Sequence, residues 1–206
     1  DYRQKRDVYT VSFYSSLVAF GKASYRIEPY GKPSRYLGKL ESSFNHAENS
    51  FMRLEINDNG TLNILCKKTG IKYLNLHYFI DDCEIGDGWF HVSPVSNRQI
   101  SSKGFPTSIV KIADGINCCI FEVTKFMKVP SGVNTDRSIE RTDDFTLLEI
   151  ISEIKLSSSS DFVEIKTKVK NTACNHRLRL VAMSGIDGND YFADQPFAYS
   201  KRKAGL

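Results

Sequence analysis

A chain of 206 residues can bury a substantial core as one domain, and no run in it approaches the roughly 18 apolar residues of a membrane span. Its formal charge of +4 is mild, and Lys and Arg are dispersed among acids, which speaks against a nucleic-acid binder with one basic face. Ile, Val, Phe, Tyr, Thr and Ser stand where a helical chain would use Ala, Leu and Glu, the composition of strands.

Asp1 to Arg6 is polar and no compact apolar segment with a cleavage site follows, so no secretion signal is read. The chain opens inside what reads as a strand, as a segment of a longer polypeptide would. Val8–Tyr14 and Ala23–Ile27 read as two N-terminal strands, and Gly31 and Pro33 mark a loop after them. Phe51–Ile56 and Leu62–Cys66 flank Asp58-Asn59-Gly60, where Asn-Gly readily supplies the positive φ angles of a type I′ turn. That turn also accounts for Asn59-Gly60-Thr61, formally a glycosylation sequon. Lys68-Thr69-Gly70 closes the next turn. Asp114-Gly115 does for Ile109–Ile112 and Ile116–Phe126 what Asn59-Gly60 does for the earlier pair. Gly86–Asn97 and Ser131–Asp144 are the longest irregular connections, where ligand contacts concentrate on a rigid scaffold.

In the run Phe145–Leu156, Leu148, Ile150, Ile154 and Leu156 share one face while Glu149, Glu153 and Lys155 lie on the other. Ser157–Ser160 is a turn, and Val163, Ile165, Thr167 and Val169 then alternate with Glu164, Lys166, Lys168 and Lys170 as a half-buried strand. Charge alone selects a register for this pair. Lys155 opposite Glu164 also sets Glu153 opposite Lys166 and Glu149 opposite Lys170. A slip of two residues would oppose Glu153 to Glu164, a like-charge pair costing a few tenths to about 1 kcal/mol. The whole pattern predicts an all-β fold with little helix, an antiparallel β-sandwich forming one domain over 1–206, in which strands of 1–40 lead into the main sandwich 41–206.

The residues carry little explicit chemistry. Five cysteines (66, 83, 118, 119 and 174) lack CxxC spacing and read as small buried hydrophobes in a reducing, cytoplasmic compartment. None of His46, His77, His91 and His176 sits in HxH, HExxH or His-x3-His spacing, so no metal site is read. His176, ahead of the alternating Arg177-Leu178-Arg179-Leu180, reads as a hydrogen-bonding turn residue. Acids are plentiful (Asp81, Asp82, Glu84, Asp87, Asp187, Asp190, Asp194), but nothing in the sequence sets two of them across a cleft at the spacing glycoside hydrolysis needs. Lys201-Arg202-Lys203 reads as a charged edge or a linker, ahead of a phosphate-binding role. The loop Gly86-Asp87-Gly88-Trp89-Phe90-His91 gathers the only Trp, a Phe, a His and an acid. Aromatic faces beside carboxylates suit a sugar-binding surface; equally, the Trp plugs the end of a sandwich.

Four stretches in order resemble the C-terminal β-sandwich region of glycoside hydrolase family 38, the α-mannosidase and mannosylglycerate hydrolase-like enzymes. They are Ala47–Ile56 with Asn59-Gly60-Thr61-Leu62 and Lys67–Gly70; Phe79–Asp87 ending in Ser93-Pro94; Val169–Arg179; and Ala193–Phe197. The resemblance implies a galactose mutarotase-like supersandwich that packs on a catalytic barrel and lends loops to the rim of an α-mannoside cleft. It places Asp87, Trp89, Phe90 and His91 at that rim, with Asp194 and Arg202 near it. Gly88-Trp89 stands where an acid and a Tyr are common, and His91-Val92 replaces a Tyr-containing pair. The nucleophilic Asp and the divalent metal, usually zinc, belong to the barrel and helical domain, so no catalytic residue, metal ligand or cofactor is expected in this bacterial-type segment and it is expected to be inactive alone. An apolar face where the barrel docks would let copies of the chain self-associate. An autonomous carbohydrate-binding module and a mutarotase-like epimerase using His91 or His176 are the competing readings.

Overall fold

Strands follow the alternation of the sequence in the computed structural model, which describes residues 11, 13, 15–28, 40–87, 89–134, 139–186 and 188–203. In chain order they are β1 (Glu41–Ser42), β2 (His46–Glu48), β3 (Met52–Ile56), β4 (Leu62–Cys66), β5 (Lys72–Leu76), β6 (Tyr78–Cys83) and β7 (Ile100–Ser101). A 3-10 turn at Ser102–Gly104 precedes β8 (Thr107–Asp114), β9 (Cys118–Pro130), β10 (Val133–Asn134) and β11 (Glu140–Arg141). Then come β12 (Phe145–Ser157), β13 (Val163–Lys170), β14 (His176–Val181), β15 (Asp190–Gln195) and β16 (Ala198–Lys203).

The framework is a four-stranded antiparallel sheet of order β13-β12-β9-β8. Its central strands, β9 and β12, are each 13 residues long, about 43 Å at the strand rise. The strands of the covering sheets are 2 to 6 residues long, so no single one of them spans that length. Two small sheets therefore lie end to end on one face. The first, β1 to β5 in sequence order, packs Ala47, Leu54, Ile56 and Leu62 on Cys119, Phe121, Val123, Ile154 and Leu156. The second, β14-β6-β7, packs Phe79 with Ala173 on Met127, Val129, Leu148 and Ile150. The result is an all-β antiparallel sandwich. No helix among the described residues is long and apolar enough to cross a membrane.

Where the two small sheets meet, the buried face turns polar. The chain leaves β5 through Asn75 and His77, both with left-handed backbone (φ 54° and 61°), and enters β6. His77 Nε2 lies 3.0 Å from Ser152 Oγ, and Ser152 Oγ lies 3.0 Å from Thr167 Oγ1. Lys125 is buried beside them; its ammonium donates to the Asn59 carbonyl and, at 3.3 Å, to Thr107 Oγ1. Burial and the neighbouring Lys125 charge push His77 down to about 4, and burial pushes Lys125 down to about 8.

The register read from charge is the observed one: Lys155 pairs with Glu164, Glu153 with Lys166 and Glu149 with Lys170. Leu148, Ile150, Ile154 and Leu156 are all fully buried. β13 is more open than a half-buried strand: Ile165 and Val169 on the core-facing side are about two-fifths exposed, while Val163 packs against the first cluster. The turn at Asp58-Asn59-Gly60 joins β3 to β4 as expected, but not as type I′. Only Gly60 has positive φ; Gly60 N donates to Asn57 O at 2.7 Å and Asn57 N to Thr61 O at 2.8 Å, a turn closed by a glycine bulge. A Cβ at Gly60 would stand 2.6 Å from Lys125 Nζ, so glycine is required twice over. Asp114-Gly115 is likewise not type I′, since Gly115 lacks positive φ and the β8–β9 turn runs through Gly115 N to Cys118 O. Gly70 closes the third turn with φ 71°.

Among the described residues, 23–27 are exposed and form no strand; Tyr25 meets the Phe13 ring edge-on and Ser15 Oγ. The strand expected over 8–14 and the loop at Gly31 and Pro33 lie outside the described residues, apart from 11 and 13. The connection 131–144 is less irregular than expected, because β10 and β11 pair within it. All five cysteines are free; Cys83 and Cys119 are buried, but Cys174 is exposed and is no core hydrophobe.

Candidate functional site

The loop after β6 is built around one carboxylate. Glu84 Oε1 accepts from Gly86 N at 2.8 Å and Val92 N at 2.9 Å, and Oε2 accepts from His91 Nδ1. Burial alone would raise the Glu84 carboxyl; the His91, Val92 and Gly86 donors outweigh it and hold it at about 2. Gly86 is needed here because a Cβ would run into the Phe90 carbonyl and sit 2.9 Å from Glu84 Oε1. Ile85 N closes the loop base on Val92 O at 2.9 Å. His91 Nε2 is 2.9 Å from Ser93 Oγ, and Asn97 donates to Ser93 Oγ while accepting from Cys83 N.

At the tip, Asp87 Oδ1 accepts from Trp89 N at 2.8 Å and Phe90 N at 2.9 Å, which keeps its carboxyl below the usual range. Asp87 thus shapes the tip through Oδ1. Trp89 and Phe90 are 88% and 74% exposed, so neither plugs the sandwich. Both rings stand on the surface of the loop.

Beneath the loop lies an ion network that sequence reasoning passed over. Asp81 and Asp82 are consecutive on β6 and face opposite sides of it, yet both are buried. Asp81 accepts from Arg141 Nη2, and from His176 Nδ1 at 2.5 Å; His176 Nε2 is 3.0 Å from Asn171 Oδ1. Asp82 accepts from Arg177 Nε and Nη2 at 3.1 and 3.0 Å, a bidentate pair, and from Arg179 Nη2 at 2.6 Å. Burial pushes the Asp82 carboxyl up, but the two arginines, with His91 adding to their field, hold it low. His176 is therefore the first residue of β14 and a buried partner of Asp81, not a turn residue. The signal available in the sequence was the double acid inside a strand opposite a strand with two arginines, which buried charge pairing makes intelligible only once the strands are known to be neighbours.

Asp194 and Arg202 sit on the β15–β16 hairpin, which pairs with no other strand among the described residues. Asp194 is opposite Tyr199, and Arg202 is opposite Tyr191, so the two side chains leave the hairpin on opposite faces. No hydrogen bond or ion pair ties either to the loop 84–93 among the described residues; Arg202 Nε lies 3.3 Å from Ser200 Oγ. The loop brings Asp87, Trp89, Phe90 and His91 together; the hairpin separates the other two. Both nitrogens of His91 and both of His176 have hydrogen-bond partners: Glu84 and Ser93 for His91, Asp81 and Asn171 for His176. No three His, Cys, Asp or Glu side chains converge as a metal site among the described residues.

No family model matches the chain. It is 25% identical over 165 residues to the "Putative mannosylglycerate hydrolase" of Halalkalibacterium halodurans, a match covering 73% of this chain and 18% of that protein. Two solved structures share its fold with a TM-score of 0.76 at 21% identity over 84% of the chain: a glycosyl hydrolase family 38 protein from Enterococcus faecalis and an alpha-mannosidase from Enterococcus faecalis V583. The chain spans 23% and 21% of those two chains, so it corresponds to a minor part of each. In sequence motifs and in fold alike, the chain resembles the β-sandwich region of family 38 glycoside hydrolases.

Proposed function

We propose that the chain is a non-catalytic β-sandwich domain of an α-mannosidase-type glycosidase, supporting a catalytic barrel and lending the loop 84–93 to the rim of its sugar cleft. The observation that carries this reading is the loop itself: Glu84 and Asp87 spend their carboxylates on backbone N–H groups, so Trp89 and Phe90 are held out on a fixed frame. Preorganised aromatics stack on the C–H face of a pyranose without an ordering cost at binding. The attacking carboxylate and the divalent metal, zinc by the family resemblance, would come from the barrel. The test is Trp89→Ala in a polypeptide that joins this segment to the barrel, assayed on an aryl α-mannoside. KM is expected to rise on the order of tenfold with kcat nearly unchanged, the pattern of a binding contact made equally in ground and transition states. Unchanged KM and kcat would remove the loop from the rim.

The exposure of Trp89 also favours a second reading, an autonomous carbohydrate-binding module. It requires that the 206-residue chain alone bind mannose, mannobiose or mannosylglycerate and lose that binding in Trp89→Ala; flat titrations with all three sugars dispose of it.

A further inference from the structure

A cleft of about 400 Å³, distinct in its residues from the loop 84–93, opens where the end of the long sheet meets the segments 96–105 and 140–143. That volume falls in the ~300–1,000 Å³ range of small-molecule sites. We infer that this cleft is a second sugar site, taking one uncharged pyranose.

Three features converge on that ligand. Phe105 and Phe145 give the cleft apolar walls, and the Lys128 ammonium stands 4.8 Å from the Phe145 ring centroid, helping to hold that ring in place. Arg98 and Lys128 supply donors, while Glu140 and Asp143 supply acceptors. The third cation, Arg141, is matched by Asp81, so the lining is two positive and two negative charges and is balanced. A balanced lining favours neither an anion nor a cation, whereas a pyranose presents hydroxyls that both donate and accept, and a C–H face for the rings.

The second observation is Arg141 itself. Its side chain is 8% exposed and Nη2 is spent on Asp81, but Nε and Nη1 are buried with no hydrogen-bond partner among the described residues. Buried donors of a charged group left unmet are costly and rare, and they mark a place where an acceptor belongs. A sugar oxygen supplies it once the Arg141 side chain turns toward the cleft, because both atoms are closed to solvent as they stand.

The test titrates the 206-residue chain with methyl α-D-mannopyranoside and with D-glucuronate, following backbone amides and the Trp89 indole by NMR. Saturable binding of the neutral glycoside at roughly millimolar Kd is expected, with shifts at residues 140–145 and none at Trp89. The exposed substitutions Asp143→Ala and Phe145→Ala should each weaken it about tenfold or more with the amide spectrum otherwise intact, while Trp89→Ala leaves it unchanged, a factor of ten being about 1.4 kcal/mol. No saturable binding, binding indifferent to both substitutions, or a preference for glucuronate would overturn the inference. Binding lost in Trp89→Ala alone would also overturn it, while assigning the sugar to the loop and leaving the proposed function standing.

Discussion

Lys125 is the charge that fits its surroundings worst, and it makes a quantitative prediction. It is 1% exposed, and among the described residues its oxygen partners are the Asn59 carbonyl and Thr107 Oγ1, with no carboxylate paired to it. Burial pushes its value from 10.5 down to about 8. Between those two values the unfolded chain holds a proton that the folded chain lacks, so stability rises with pH. Below about pH 8 both states are charged and the gain is absent. Replacement by Met removes the titration and roughly keeps the volume. At pH 7 the change in stability is a poor test, because two effects oppose each other. Relief of the buried charge is worth about 3 kcal/mol, from the fall from 10.5 to about 8. The orphaned Asn59 carbonyl costs about 1–3 kcal/mol. The pH dependence is cleaner: integrating the linkage from pH 7 to 9.5 gives about 2 kcal/mol of added stability in the native sequence that Lys125→Met lacks. Urea unfolding of both proteins at several pH values measures it. Tyrosines and surface lysines titrate alike in the two and cancel. Parallel stability curves would show that Lys125 is not buried as a destabilised cation, and the account of the seam would fail.

Other substitutions probe the same framework. Arg141→Leu leaves Asp81 buried and short of a partner and should cost about 3–5 kcal/mol by urea unfolding; a loss below ~1 kcal/mol would mean Asp81 is served by His176 alone. On the acid side, the buried neutral His77 contributes stability that is fully present above its ordinary value of 6.5 and is lost as pH falls toward about 4, roughly 2–3 kcal/mol by pH 4.5. His77→Asn, which tolerates the positive φ, should flatten that stretch of the stability curve, and an unchanged slope would refute the assignment. Gly60→Ala should destabilise by more than about 1 kcal/mol, since both the backbone conformation and the space near Lys125 exclude a Cβ; a neutral result in thermal unfolding would contradict the close packing of that turn.

What could be read in advance was local. Turn glycines at 60 and 70, strand alternation and the Glu–Lys ladder between β12 and β13 follow from neighbours in sequence or across one hairpin, and the structure agrees with them. Lys155 Nζ lies 3.1 Å from Glu164 Oε1, the contact that charge alone anticipated. What stayed hidden depends on partners far apart in the chain. Asp81 meets Arg141 and His176 across 60 and 95 positions, and nothing around Asp81 distinguishes it from a solvated strand-end acid. The seam was equally opaque: Lys125 and Ser152 look like ordinary polar interruptions until two short sheets are laid along one long one. The type I′ assignment missed because Asn-Gly also serves a longer loop when the first positive φ is not needed. For the candidate site, composition singled out the loop 86–91, while the carboxylate that organises it, Glu84, lay two residues before the segment that drew attention.

The pinned loop also explains how a sandwich of this kind would act on chemistry performed elsewhere. Its tip is fixed by hydrogen bonds to backbone, and its base rests on Asp82 and two arginines, so a stacked sugar would be held against the scaffold and not against a flexible strand.

The proposed role gives this polypeptide the shaping and support of a glycosidase cleft and leaves bond cleavage to the barrel. The most direct measurement is turnover of 4-nitrophenyl α-mannoside by the purified 206-residue chain, with zinc added and with zinc chelated. Release of nitrophenol no faster than buffer is expected in both conditions; sustained, metal-dependent release that disappears on chelation would place a catalytic centre within the chain itself.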